Sequence, residues 1–188
     1  MKVLTAAQMR EVDRLTVERG IPPLILMENA AHRVTEFLEK RFRPLAGERV
    51  VVICGKGNNG GDGLAIARQL LTGARVGRLD IVLAADAAEL KGDAAANYRM
   101  LKACGGAPSS EITCAMRDAT VVVDALLGTG VKGAAAGGAL KLIREMNGGF
   151  PLAKIVAVDI PSGMASDTGT SAGECVKADF TVTFTAPK

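Results

Sequence analysis

Val50-Val51-Val52-Ile53-Cys54-Gly55-Lys56-Gly57-Asn58-Asn59-Gly60-Gly61-Asp62-Gly63 decides the fold. The apolar run at its start has the length and β-branching of a buried parallel strand. The Leu64-Ala65-Ile66-Ala67-Arg68-Gln69-Leu70 that follows has the pattern of a helix. Between them lies a glycine-rich turn, where backbone N–H groups and the positive end of a helix dipole meet at one point. Side chains there would block a phosphate, and glycine, at Gly61 in particular, removes the block. Gly55, Gly57 and Gly60 satisfy GxGxxG, a weak signal by itself. Asn58, Asn59 and Asp62 sharpen it, because a loop that only cradled phosphate needs no such set of polar side chains.

Outward from this stretch, the chain alternates strands and helices. Thr5 is placed to cap a helix that runs to about Arg19, with Gly20 as its stop. Pro22-Pro23 starts a second helix through Phe42. Strands are expected near 49–54, 78–84, 120–124, 154–158 and 179–184, and helices over 62–72, 91–104 and 138–147. The implied architecture is α/β: a three-layer α/β/α sandwich with a Rossmann-like, mostly parallel sheet and two N-terminal helices. At 188 residues the chain suits a single domain over 1–188.

Composition narrows the function. Hydrophobic residues are 48% of the chain but aromatics only 3%, so the core must be aliphatic. A net charge of +3, with no aromatic–basic pattern, gives no footing for nucleic acid. Cys54, Cys104, Cys114 and Cys175 form no CxxC or zinc spacing, and reduced thiols in a cytoplasmic protein are the simplest account. The first residues lack a signal-peptide pattern, and no apolar run reaches bilayer length.

Two further strands end in an aspartate: Val122-Val123-Asp124 and Ala157-Val158-Asp159. Ligands of open α/β sheets bind outside the carboxyl ends of the strands, so Asp124 and Asp159 should share a crevice with the asparagines. A lone strand-end aspartate is often only a cap or loop brace. Other features have plain readings. His32 reads as a surface residue, Met27 as core, Tyr98 and Lys102 as a chance YxxxK, and Lys56 as no P-loop lysine because no GK[ST] ends the turn.

Gly57–Gly63, Val123-Asp124-Ala125-Leu126-Leu127-Gly128-Thr129-Gly130, Val158-Asp159-Ile160-Pro161-Ser162-Gly163 and, nearer the start, Leu26-Met27-Glu28-Asn29-Ala30 occur in this order along nearly the whole chain. Together they resemble the signature blocks of the NAD(P)H-hydrate epimerase family. Ala31 departs from the glycine usual there, a small-for-small change that concerns helix packing. The chain also stops at Ala186-Pro187-Lys188, where the family usually continues. It is expected to lack the last C-terminal stretch, as a shortened form or as the front of a bifunctional protein whose second half is an NAD(P)H-hydrate dehydratase.

The resemblance implies an isomerase of metabolite repair that interconverts the R and S epimers of hydrated NADH or NADPH. It implies substrate contacts from Asn58, Asn59, Gly60, Gly61 and Asp62, from Gly128, Thr129, Gly130, Val131, Lys132, Gly133 and Ala134, and from Asp159, which is also the expected acid/base group. It further implies a potassium ion on Asn59, Asp124 and Ser162, whose all-oxygen character suits a hard cation. Expected partners are a second copy in a homodimer and the dehydratase, fused or separate. Two rival readings use the same fold. One is an NAD(P)-dependent dehydrogenase with Asp86 on the ribose, and the other is a non-enzymatic nucleotide-binding scaffold.

Overall fold

The computed structural model describes residues 4–73, 76–130 and 133–184. The chain runs α1 (Ala6–Glu18), α2 (Pro23–Arg41), β1 (Arg49–Cys54), α3 (Asn58–Thr72), β2 (Arg78–Leu83), α4 (Gly92–Ala103), β3 (Val121–Ala125), α5 (Gly137–Gly148), β4 (Lys154–Val158) and β5 (Phe180–Val182). The five strands form one sheet in the order β2-β1-β3-β4-β5. Every pairing is parallel, with Ile53 opposite Asp124 and Val82.

Period-two alternation divides the core. Val50, Val52 and Cys54 of β1 pack with Leu64, Ile66 and Leu70 of α3, and with Ala31, Val34 and Leu38 of α2. Val51 and Ile53 face the other way, onto Ile143 and Met146 of α5.

Thr5 caps α1 through a capping box: Gln8 N–H donates to Thr5 Oγ1 (3.2 Å) and Thr5 N–H donates to Gln8 Oε1 (2.9 Å). Pro23 opens α2, where its missing N–H costs nothing. The strand expected over 179–184 pairs only at Phe180–Val182, because β5 lies at the sheet edge and has one neighbour. The other strand limits differ from expectation by one residue at most.

The main correction concerns α3. It begins at Asn58, not near 62, so the Asn-Asn-Gly-Gly-Asp run is the first helical turns and not a loop. Low helix propensity is overridden by packing. A Cβ at Gly60 would lie 1.8 Å from the carbonyl oxygen of Gly55, and one at Gly61 would lie 2.7–2.8 Å from the end of Met27 and 3.1 Å from Ala94 Cα. Gly60 lets the helix start fold back on the turn that launches it. Gly61 lets α3 nest between α2 and α4. Packing thus accounts for both glycines, in place of the expectation that Gly61 clears space for phosphate.

Candidate active site

The sheet order reverses between β1 and β3: from β1 the chain moves out to β2, then returns to build β3, β4 and β5 on the other side. Such a switch point leaves a crevice at the strands' carboxyl ends. A cleft of about 1150 Å³ lies there. Its floor is Gly57, Asn58, Asn59 and Asp62 from the start of α3, with Leu126 to Gly130 after β3 and Asp159 after β4.

Beneath the floor is a connected polar cluster. Asp124 and Ser162 are fully buried and Asn59 nearly so. The Ser162 hydroxyl donates to Asp124 Oδ1 (2.5 Å), and the Ser162 N–H donates to Asp124 Oδ2 (2.8 Å). Leu126 N–H adds a third bond to that carboxylate (3.2 Å). Leu127 ties in the rest, its N–H donating to Ser162 Oγ (2.8 Å) while its carbonyl accepts from Asn59 Nδ2 (2.9 Å). Burial pushes the Asp124 carboxyl up to about 6, against the pull of the Ser162 and Leu126 donors. Asn59 Oδ1 is buried and has no hydrogen-bond partner among the described residues. The start of α3, the end of β3 and the segment after β4 thus contribute one amide, one carboxylate and one hydroxyl to a single hydrogen-bonded cluster, with one amide oxygen left unused. Among the described residues no three His, Cys, Asp or Glu side chains converge as in a usual transition-metal site. The chemistry on offer here is neutral oxygen plus a single negative charge.

Asp159 has the one left-handed backbone of a non-glycine residue among those described, at φ 69°. Aspartate tolerates this conformation better than most residues, yet it still stores strain of order 1 kcal/mol and such positions cluster at functional sites. Its N–H donates to the Val182 carbonyl (2.8 Å), and its Oδ1 accepts from the Thr183 hydroxyl (3.4 Å).

The other expected site residues scatter. Gly60 and Gly61 pack inward, as above, and do not line the cleft. Gly128, Thr129 and Gly130 line it, and Gly128 is held against Asn59, whose Cβ would be 3.1 Å from an added Cβ. Val131 and Lys132 lie outside the described residues. Gly133 and Ala134 are exposed and away from the cleft, Ala134 lying against Gly173. Asp86 accepts the Ala88 N–H (2.9 Å) at the head of a short turn and does not reach the cleft, so it is a cap and not a ribose ligand. His32 is exposed, and Met27 is core, its sulfur accepting from Asn97 Nδ2 (3.2 Å).

One whole wall escaped the sequence reading. Met9, Arg10, Asp13 and Val17 of α1, with Asn29 and Arg33 of α2, close the cleft on the side away from the sheet. Asp167 holds α1 in place by accepting the Ala6 N–H (2.6 Å) at the positive end of the helix. These α1 residues form no motif, so the sequence carried no signal that this helix borders the cleft. Lys56, discounted as a P-loop lysine, also lines the cleft and pairs with Glu89 (3.0 Å).

Comparison with known proteins gives matches of different reach. The family described as YjeF-related protein N-terminus matches residues 23–188. An NAD(P)H-hydrate epimerase of Limosilactobacillus fermentum is 38% identical over all of this chain and 87% of its own length, and one of Rhodopirellula baltica is 40% identical over 98% of this chain and 75% of its own. The bifunctional NAD(P)H-hydrate repair enzyme Nnr of Moorella thermoacetica is 41% identical over the whole chain, which spans only 37% of that relative's length. The crystal structure of the yeast protein ynu0 superposes with a TM-score of 0.84, over all of this chain and 82% of that one, at 23% identity, a likeness of fold.

Proposed function

Because the chain belongs to the NAD(P)H-hydrate epimerase family, whose shared unit is described as YjeF-related protein N-terminus, we propose that it interconverts the two epimers of hydrated NADH or NADPH. The observation that carries this reading is the cleft itself. At the β1/β3 switch it brings together the Asn58–Asp62 helix start, the Gly128–Gly130 loop and Asp159.

The substrate is a hemiaminal, with a hydroxyl on the ring carbon beside the nicotinamide nitrogen. The nitrogen lone pair expels that hydroxyl once it is protonated, giving water and a ring iminium. Water then adds from the opposite face and returns its proton. One carboxyl group placed beside that carbon serves both halves, as acid and then as base. Asp159 is the group we assign: it lines the cleft, and its backbone is pinned to Val182. The first N–H groups of α3 have no partner within the helix and, with the helix dipole, favour the diphosphate of the dinucleotide.

Asn59, Asp124 and Ser162 fit a monovalent hard cation such as potassium. Asn59 Oδ1 is otherwise an acceptor buried at a cost of about 1–3 kcal/mol with nothing to accept from. One carboxylate with neutral oxygens also gives less negative charge than divalent sites usually gather. Such an ion, when bound, supplies positive charge that offsets the burial of Asp124. The residues then hold the β1, β3 and β4 ends in one arrangement, and with them the floor of the cleft. Among the described residues no helix is long and apolar enough to cross a membrane. The four cysteines are unpaired, and we place the protein in the cytoplasm on that ground. A dehydratase, fused as in the bifunctional relatives or separate, is the partner the chemistry calls for, and a homodimer is the assembly we propose.

Asp159→Asn separates binding from chemistry. The near-isosteric amide should keep affinity for NADP⁺ within a few-fold while epimerisation falls by about 10²–10⁴-fold, the range for a lost general acid/base. Wild-type turnover in this variant would remove Asp159 from the mechanism.

A further inference from the structure

We infer that Thr183 is a positioning residue for Asp159, its hydroxyl holding one carboxylate oxygen and so fixing the plane of the group that moves the proton. The inference rests on the proposed acid/base role of Asp159, but its contacts stand independently. The end of β5 grips Asp159 at two points. The Val182 carbonyl takes the backbone N–H at 2.8 Å, which fixes a residue already held at φ 69°. The next residue, Thr183, directs its hydroxyl to Oδ1 at 3.4 Å, and both Thr183 and Asp159 line the cleft. At 3.4 Å this bond is long for two oxygens, whose usual separation is about 2.7–2.8 Å. Catalytic hydrogen bonds often tighten only when substrate is bound.

The chemistry gives the hydroxyl a definite task. A carboxyl group that must protonate a leaving oxygen on one face of a ring, and as carboxylate then accept from water on the other, gains from having its plane held in one orientation. A hydroxyl donor on Oδ1 does that, and by favouring the charged form it also lowers the carboxyl pKa. Other charges face the same cleft: Arg10 and Asp13 of α1, Arg33 of α2, Lys56 and Asp62 beside and within α3, and Asp93 of α4. They are unchanged by substitution at Thr183, so the difference between variants isolates the hydroxyl.

The test compares wild type with Thr183→Val, which keeps the shape and β-branching, and Thr183→Ser, which keeps the hydroxyl. Two readouts are taken on the full chain: the Asp159 carboxyl titration by NMR with ¹³C-labelled aspartate, and the pH profile of epimerisation. Thr183→Val should raise the Asp159 pKa by about half to one unit and lower kcat about tenfold with KM little changed. Thr183→Ser should restore both. An Asp159 titration identical in wild type and Thr183→Val overturns the inference, as does a valine defect that serine fails to rescue. The NMR titration needs no turnover, so it decides the Thr183–Asp159 contact even if the epimerase reading itself fails through absence of wild-type activity.

Discussion

Asn59 shows how much one buried atom can say. Its Nδ2 is spent on the Leu127 carbonyl, which leaves Oδ1 buried with no donor among the described residues. A fold keeps an orphaned acceptor when something else meets it, and a cation is the simplest such thing. Potassium should therefore raise melting temperature or NADP⁺ affinity relative to sodium and to tetramethylammonium at matched ionic strength. Saturation at a hundred times the dissociation constant stabilises by about 2.7 kcal/mol. In a chain of this length each kcal/mol moves the melting temperature by about 2–4 °C. Asp124→Ala removes the carboxylate and should abolish the potassium response, whatever it does to baseline stability. Equal melting and affinity in all three salts would contradict the ion reading of Asn59, Asp124 and Ser162. The residues of this cluster were legible because each ends a recognisable strand or opens a recognisable block. Their hydrogen-bond order was not, since it depends on the Leu127 backbone, which carries no side-chain signal.

At the scale of elements, α3 carries most of the argument. Its glycines look like a phosphate loop in the sequence, and two of them turn out to be packing contacts. Gly61→Val should thus act on stability rather than on the ligand. The new side chain meets the Met27 thioether, which can move, and Ala94 Cα, which can move only with α4. Overpacking of this kind costs about 1–3 kcal/mol. Urea denaturation should show that loss, with NADP⁺ affinity of the folded protein changed less than threefold. Undiminished stability with lost affinity would return Gly61 to the binding surface. The start of α3 was misread for a physical reason: Asn-Asn-Gly-Gly is a poor helix former, and only the backbone of Gly55 and the neighbours in α2 and α4 make a helix the best state for it.

For the whole molecule, strand existence was legible and strand order was not. Val50–Cys54, Val121–Val123 and Ile155–Val158 declare themselves as buried strands by composition. The order β2-β1-β3-β4-β5 depends on which helix covers which face, and so on contacts between distant residues. The order nevertheless decides where the cleft lies, because only a reversal beside β1 opens a crevice above Asn59 and Asp124. The α1 wall was equally silent, for its cleft-facing residues form no motif and are recognisable only once the helix is seen closing the site. The proposed reading of the cleft, with Asp159 as its acid/base group, leads to one central claim, epimerisation without hydride transfer. The direct measurement starts from each separated epimer of hydrated NADPH and follows both by chromatography while recording absorbance. With the protein present, the two samples should converge on one common mixture well ahead of the spontaneous rate, with no reduction or oxidation of the ring. If each epimer persists at the spontaneous rate in potassium-containing buffer, the account is wrong.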